Sequence, residues 1–498
     1  MSDIQHVIQR PISHRIADEE QGLHSLNQAT TPGCQADSEP KLRQLGESNR
    51  SMSDRFLRRG PGKRRVGVVE SLKAIAFSSW LNVLLVFIPI AWVAHFGNAN
   101  DDPPEKTWKY TGTFMLCFLA IIPLEKLFDY GGEQMAFYLG PDLGDLLVVS
   151  LNNTVEATLA IILLKKCELK LLQSTIIGVV LLHLLLIPGV AFVTGGARVS
   201  EQDLHPHLTQ LNHTLLTIGV MCLLLPAAFF AALDRGGVPG QAAEIFTNDT
   251  TRGQFLQMSR GLAVVLLAVY VCSRIFLHNP PGGEGTELAQ HRLAPEALKE
   301  RALEFETREP EVNQWVCLVM LSITIAVMAA TAEWLVDSID FVKDAGGITQ
   351  EWFGLILLPL VSFSGDAFIA ILFFFRSIYR YLRGESTPPA TLANAQPIDL
   401  SIQFTLFWMP FIVLLGWWIG RPMSLLFDLF EVALVISSCF IVNYVTADSK
   451  TNWAEGAALL SFYGSCYSFS PQFNELTAPG PCEFSNDCAL LVVLHRAR

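Results

Sequence analysis

Charge is scarce in this chain: only 16% of its 498 residues are Asp, Glu, Lys or Arg. Soluble globular domains carry about a quarter, so an ordinary soluble protein of this length is excluded. Enzyme signatures are missing as well. There is no Gly-x-x-x-x-Gly-Lys-Ser/Thr loop, no His-Glu-x-x-His, no Gly-x-Ser-x-Gly and no kinase set, so no hydrolytic engine or phosphate-driven pump is indicated. Basic patches interleaved with aromatics are absent, which argues against nucleic acid. The net charge of −12 is too small for this length to point to an acidic-substrate or nucleic-acid partner. Ten cysteines include no Cys-x-x-Cys pair, so neither a zinc site nor a disulfide framework is expected. The stretch 1–21 has no apolar run and does not read as a cleaved secretory signal.

What is present is apolar. Hydrophobic residues make up 51% of the chain and its mean hydropathy is +0.36, which reads as an all-α polytopic membrane protein in contact with the lipid bilayer. Length and lack of charge mark about eleven spans: 73–95, 110–125, 144–164, 171–194, 212–233, 260–277, 315–336, 352–375, 401–419, 424–446 and 454–469. Residues 1–70 are polar and aperiodic and read as a disordered cytoplasmic tail. Its closing basic run, RFLRRGPGKRR (55–65), marks the cytoplasmic side of the first span. Lys165, Lys166 and Lys170 fall on the opposite side and oppose that signal. The acidic linker 278–312 separates a first membrane half (71–277) from a second (313–470), and 471–498 reads as a divergent tail. Beyond the first span, five spans precede the linker and five follow it. An odd number per half turns the second half over, giving one N-terminal helix and two inverted five-helix repeats.

The chemistry concentrates in 143–164, LGDLLVVSLNNTVEATLAIILL. Asn152, Asn153 and Glu156 lie near the middle of a span, where a carboxylate is costly unless it meets a cavity, a partner or an ion. Asn153 and Glu156 are three apart and share a helix face. Oxygen groups so placed suit a hard cation such as Ca²⁺; a Glu that only ties neighbouring helices together is the alternative. The stretch 354–374, GLILLPLVSFSGDAFIAILFF, has the same form: an apolar span interrupted by Ser362 and Ser364 with Asp366 at the break. Interrupted spans at matching places in two halves point to a midplane site. The following spans begin with Gln173 and Ser174 in one half and Ser401 and Gln403 in the other.

Other polar residues are placed less directly. Glu333 and Asp337, one turn apart, either lead ions inward or cap and pair at a helix end. Glu431 and Asn443 read as hydrogen-bonding groups between helices. His183 is either a proton relay or a satisfied core residue. The sequon at Asn212 falls on the cytoplasmic side, so no glycan is expected there. No cofactor is expected, and the sequence is compatible with a homo-oligomer.

Segments QSTIIG (173–178), LLLIPGVAFVTGG (184–196), AEWLVDSID (332–340), GLILLPLV (354–361), SIQFTLF (401–407), LLGWWIG (414–420) and VNYVTADSKTNWAEGA (442–457) carry a resemblance. Over roughly 70–465 the chain resembles the calcium/proton exchanger branch of the calcium/cation antiporter superfamily. The resemblance implies eleven spans, inverted repeats, exchange of Ca²⁺ for protons and, most often, a vacuolar membrane. It implies Ca²⁺ and proton binding at Glu156 and Asp366, with Asn152, Asn153, Ser362 and Ser364 as neutral candidates. The family's Gly-Asn-Ala-x-Glu stands here as Asn152-Asn153-Thr154-Val155-Glu156. Its second motif, Gly-Asn-Ala-Ala-Glu-His, has become Ser362-Phe363-Ser364-Gly365-Asp366-Ala367, and its Ser-Asn pair is Leu182-His183. The altered second motif leaves two alternatives open: exchange of Na⁺, K⁺ or Mn²⁺, or a non-transporting regulatory relative.

Overall fold

The computed structural model describes residues 66–97, 103–139, 141–196, 201–204, 206–236, 249–278, 310–346, 349–383 and 396–469. Nearly all of the expected N-terminal tail, most of the acidic linker and the C-terminal tail lie outside these residues. Within them the protein is helical, with one two-residue ladder, β1 (Gln202–Asp203) against β2 (Lys450–Thr451).

The first span is divided. Helix α1 (Val68–Phe77) gives way to a 3₁₀ turn, Trp80–Val86, and then α2 (Phe87–Gly97). Polar side chains hold the division: Asn82 Nδ2 donates to Ile75 O at 2.9 Å, and Ser79 Oγ accepts from Leu81 N at 3.2 Å. The second span is longer than expected. Helix α3 runs Pro103–Leu139, well past the charged residues at which the 110–125 reading stopped. It tolerates them because Lys126 Nζ donates to Asp129 at 2.7 Å while Glu125 is 8% exposed.

The remaining elements are α4 (Pro141–Asn152), α5 (Thr154–Lys166), α6 (Leu169–Gly196), α7 (Pro206–Gly236), α8 (Asp249–His278), α9 (Gln314–Asp337) and α10 (Ile339–Gly346). Then follow α11 (Gln350–Gly365), α12 (Ala370–Arg376), α13 (Pro397–Trp418), α14 (Leu429–Val445) and α15 (Trp453–Phe469). Among the described residues seven helices are long and apolar enough to cross a membrane, and nine if each bent pair, α4–α5 and α11–α12, is one span. Helices α14 and α15, 17 residues each, are shorter, so length and composition alone do not reach eleven. The expected span from 424 begins late because Gln173 Nε2 donates to Ser424 O (3.2 Å) and Leu426 O (2.8 Å), holding that stretch as irregular chain.

Ion pairs and hydrogen bonds sort the helix ends. At one end Lys166 pairs with Asp337, Lys170 with Glu351, and Arg421 donates to Lys165 O. At the other, Arg274 pairs with Asp399, Lys450 with Glu201, and the Gln134 amide oxygen accepts from Glu311 N. Helix α5 therefore finishes at the end where α11 starts, and the two interrupted helices run in opposite directions.

Helices α6 and α11 cross with their backbones nearly touching. A Cβ on Gly178 would lie 2.2 Å from Leu355 O, and one on Gly354 would lie 3.0 Å from Leu171 O. Small residues permit such approaches where apolar burial gives no net drive between helices in lipid. Leu164, Leu172, Ile176, Phe353, Ile402 and Leu406 are fully buried in the same apolar core. Val93, Val264, Ile323, Phe375, Trp418 and Phe440 are exposed on the outside, as a lipid-facing surface requires. Cys167 is disulfide-bonded, a lone bridge among the described cysteines and not a framework. A single bridge needs only close approach, not the Cys-x-x-Cys spacing that was sought.

Candidate cation site

The first interruption is built by polar side chains bonding to backbone. Ser150 Oγ donates to Leu146 O (2.8 Å) and Thr154 Oγ1 to Ser150 O (3.1 Å), contacts of the kind that bend helices. Asn153 leaves helical geometry, with φ −92° and ψ 6°, and α4 and α5 meet there at 53°. Its side chain does not cap α5. Instead Nδ2 donates to Gln403 Oε1 at 2.7 Å and to Leu400 O at 3.3 Å, both on α13 of the other half. Gln403 in turn donates to Ser150 Oγ (3.0 Å) and to the Tyr270 hydroxyl oxygen (3.1 Å).

That network spends the amide donors of Asn153 and leaves its carbonyl. Asn153 is fully buried, and its Oδ1 accepts no hydrogen bond among the described residues. One turn on, Glu156 is 4% exposed in the first turn of α5. The amide end of α5 sets positive partial charge beside the first turn, and the break also presents the carbonyl end of α4. Ser401 Oγ, buried on α13, likewise has no hydrogen-bond partner among the described residues. Asn152 is half-buried. The arrangement offers one carboxylate and neutral oxygens, which is hard-cation chemistry.

The second interruption lies between Gly365 and Ala370, where α11 and α12 are inclined at 59°. Asp366 is the first residue of that bend; its side chain lies outside the described residues. Ser362 Oγ donates to Pro359 O and Ser364 Oγ to Val361 O, each at 2.9 Å, so their protons are spent within the helix and only oxygen lone pairs remain to a ligand. Phe363 is buried and apolar. Three π-helical turns occur in the membrane helices: Leu182–Leu186 in α6, Phe353–Leu357 in α11 and Phe404–Trp408 in α13. Such turns recur at functional positions.

Several other residues read from the sequence bond to groups away from the first break. Gln173 clamps the chain before α14. Ser174 Oγ donates to the buried Glu431 carboxylate at 2.5 Å, and Asn443 Nδ2 donates to Thr217 Oγ1 at 3.0 Å, the helix–helix roles expected of Glu431 and Asn443. His183 Nδ1 lies 2.9 Å from Val179 O on its own helix, the pattern of a satisfied core histidine. Glu333 is exposed and Asp337 pairs with Lys166 at the helix end, the capping-and-pairing alternative. Among the described residues no three His, Cys, Asp or Glu side chains form a metal cluster. One participant escaped the sequence reading: Tyr270, hidden in an apolar span, whose hydroxyl accepts from Gln403.

Two oppositely directed helical halves, each with an interrupted span and an acidic residue at the interruption, define a membrane carrier of the inverted-repeat class. The chain belongs to the sodium/calcium exchanger protein family, whose profile matches residues 109–278 and 316–470. A vacuolar calcium ion transporter of Cryptococcus neoformans var. grubii is 32% identical over 79% of this chain and 73% of its own. A Ca²⁺/H⁺ antiporter of Synechocystis sp. is 31% identical over 76% of this chain and 94% of its own. The solved structure of native YfkE shares the fold, with a TM-score of 0.56 and 19% identity over 78% of this chain and 98% of that one.

Proposed function

We propose that this protein is a secondary antiporter that exchanges cytosolic Ca²⁺ for protons across the vacuolar membrane, contributing to calcium homeostasis. The relatives named as vacuolar calcium transporter and Ca²⁺/H⁺ antiporter support the cargo and the membrane. The buried, unaccepted carbonyl of Asn153 one turn before Glu156 is the observation that carries the site.

Ca²⁺ enters from the cytosol and is held by Glu156 and Asp366 as carboxylates, with Asn153, Asn152, Ser362 and Ser364 supplying neutral oxygens. Ser401 and Gln403 support it from α13. From the acidic side, protons claim the two carboxylates, the ion leaves, and the proton-loaded form returns. Coupling follows from the cost of the third state: an empty carrier with two bare carboxylates in the membrane reorients slowly. No resident cofactor takes part, and no covalent chemistry is done on the cargo.

Purified protein in liposomes, acidic inside, tests the reading. Uptake of Ca²⁺ that collapses when the pH gradient is dissipated is expected. Uptake of Na⁺, K⁺ or Mn²⁺ in preference to Ca²⁺ would change the cargo. No flux of any cation would replace the antiporter with a regulatory relative.

A further inference from the structure

Helix α13 ends in a turn that exposes large apolar side chains and is bordered by cations. Trp417, Trp418 and Ile419 are exposed, and Gly420, at φ +73°, turns the chain so that Arg421 N donates to Gly416 O at 2.7 Å. Two neighbouring helices meet this turn. The Arg421 guanidinium donates at 2.9 Å to Lys165 O, in the last turn of α5, and a Cβ on Gly416 would lie 3.4 Å from Leu164 of the same helix. From α8, the Arg260 guanidinium lies 4.9 Å from the centre of the Trp417 ring, and Ser259 Oγ accepts from Leu425 N at 3.0 Å.

The charges at this turn are not met by protein. Of the three lysines that oppose the positive-inside signal, Lys166 pairs with Asp337 and Lys170 with Glu351, whereas Lys165 is exposed. Lys165, Arg260 and Arg421 make no ion pair among the described residues. The carboxylates close to them in sequence are bonded elsewhere: Glu168 accepts from Gln350 Nε2 at 3.3 Å, and Asp428 Oδ1 from Phe430 N at 2.8 Å. Exposed indoles beside basic side chains at a helix end mark the level of lipid headgroups.

We propose that Lys165, Arg260 and Arg421, with Trp417 and Trp418, form a binding surface for an anionic phospholipid of the surrounding leaflet. Unpaired cations need an anion, and exposed Trp418 and Ile419 need an apolar neighbour; one such lipid supplies both. Its headgroup meets the cations by charge complementarity. Arg421 also bonds the carbonyl end of α5, the helix that carries Glu156, so an occupied surface braces that helix end.

Native mass spectrometry of the purified full-length protein, released from mixed micelles of phosphatidylglycerol and phosphatidylcholine, tests the assignment. Retention of phosphatidylglycerol over phosphatidylcholine is expected, with the preference falling about fivefold for each cation removed in Lys165→Gln, Arg260→Gln and Arg421→Gln. Arg260→Lys, which keeps the charge, should retain it. The Lys165 side chain makes no described bond, so Lys165→Gln folds even where loss of the Arg421 bond does not permit folding. Phosphatidylglycerol should also raise the unfolding temperature of the wild-type protein, and inorganic phosphate at equal concentration should not. Equal retention of the two lipids, or an unchanged preference in Lys165→Gln and Arg260→Gln, would overturn the assignment. An equal rise with inorganic phosphate would replace the lipid with a free anion. Each readout is lipid binding or stability, and none depends on which cation is carried.

Discussion

Asn153 and Gln403, 250 positions apart, share a hydrogen bond of 2.7 Å, so a side chain of the second half holds the break in the first. The contact ties the geometry of the cation site to the position of α13. It also explains why Asn153 presents an oxygen and not its amide nitrogen: Gln403 Oε1 and Leu400 O take the donors.

Removing that partner should loosen the site without removing its charge. Gln403→Ala strips Asn153 of its side-chain acceptor and frees Ser150 and Tyr270 from the shared amide. Loss of about 1–3 kcal/mol of stability is expected for leaving buried polar groups unmet, together with a several-fold higher KM for Ca²⁺. Thermal unfolding in detergent and uptake kinetics check the two halves of this prediction.

Arg274 and Asp399 pair at 2.9 Å, and the guanidinium lies 4.9 Å from the centre of the Tyr270 ring. Tyr270 accepts from Gln403, so the pair buttresses the site from the linker-side end of the protein. Side chains 13% and 25% exposed feel partial solvent screening, so breaking the pair should cost about 1–3 kcal/mol, less than a fully buried one. A double-mutant cycle with Arg274→Gln and Asp399→Asn should show the double variant less destabilised than the sum of the singles. Additive losses would deny the coupling.

Steric contact at the α6–α11 crossing predicts a contrast between two glycines. Gly178→Val drives a side chain into Leu355 O and should abolish stable expression, because backbone cannot withdraw as a flexible side chain does. Gly112 in α3 has open space around its Cβ direction, and Gly112→Ala should be neutral or stabilising by up to about 1 kcal/mol. Fluorescence-detected size-exclusion chromatography distinguishes the outcomes.

Much of this was legible in the residues. Asn152-Asn153 within an apolar span announces a break because asparagine side chains compete with the helix for backbone partners. The Ser and Gly residues before Asp366 do so in the second half. Glu431 and Asn443 were read correctly as interhelical groups because an enclosed polar side chain in lipid must find a partner. The partners of Gln173 were not legible: its acceptors, Ser424 O and Leu426 O, lie about 250 residues downstream, and no periodicity reveals them. The second span was cut short at Glu125 because a charge in sequence looks like a membrane boundary. Burial and the Lys126–Asp129 pair are properties of the folded chain alone.

Uptake by Glu156→Gln, set beside wild-type protein in the same acid-loaded liposomes, bears most directly on the central claim that a carboxylate at the first break is claimed in turn by Ca²⁺ and by protons. The substitution keeps size and hydrogen-bonding capacity and removes only the charge and the proton. Proton-driven Ca²⁺ uptake should disappear while the protein remains folded by size-exclusion chromatography. Uptake at the wild-type rate would contradict the account.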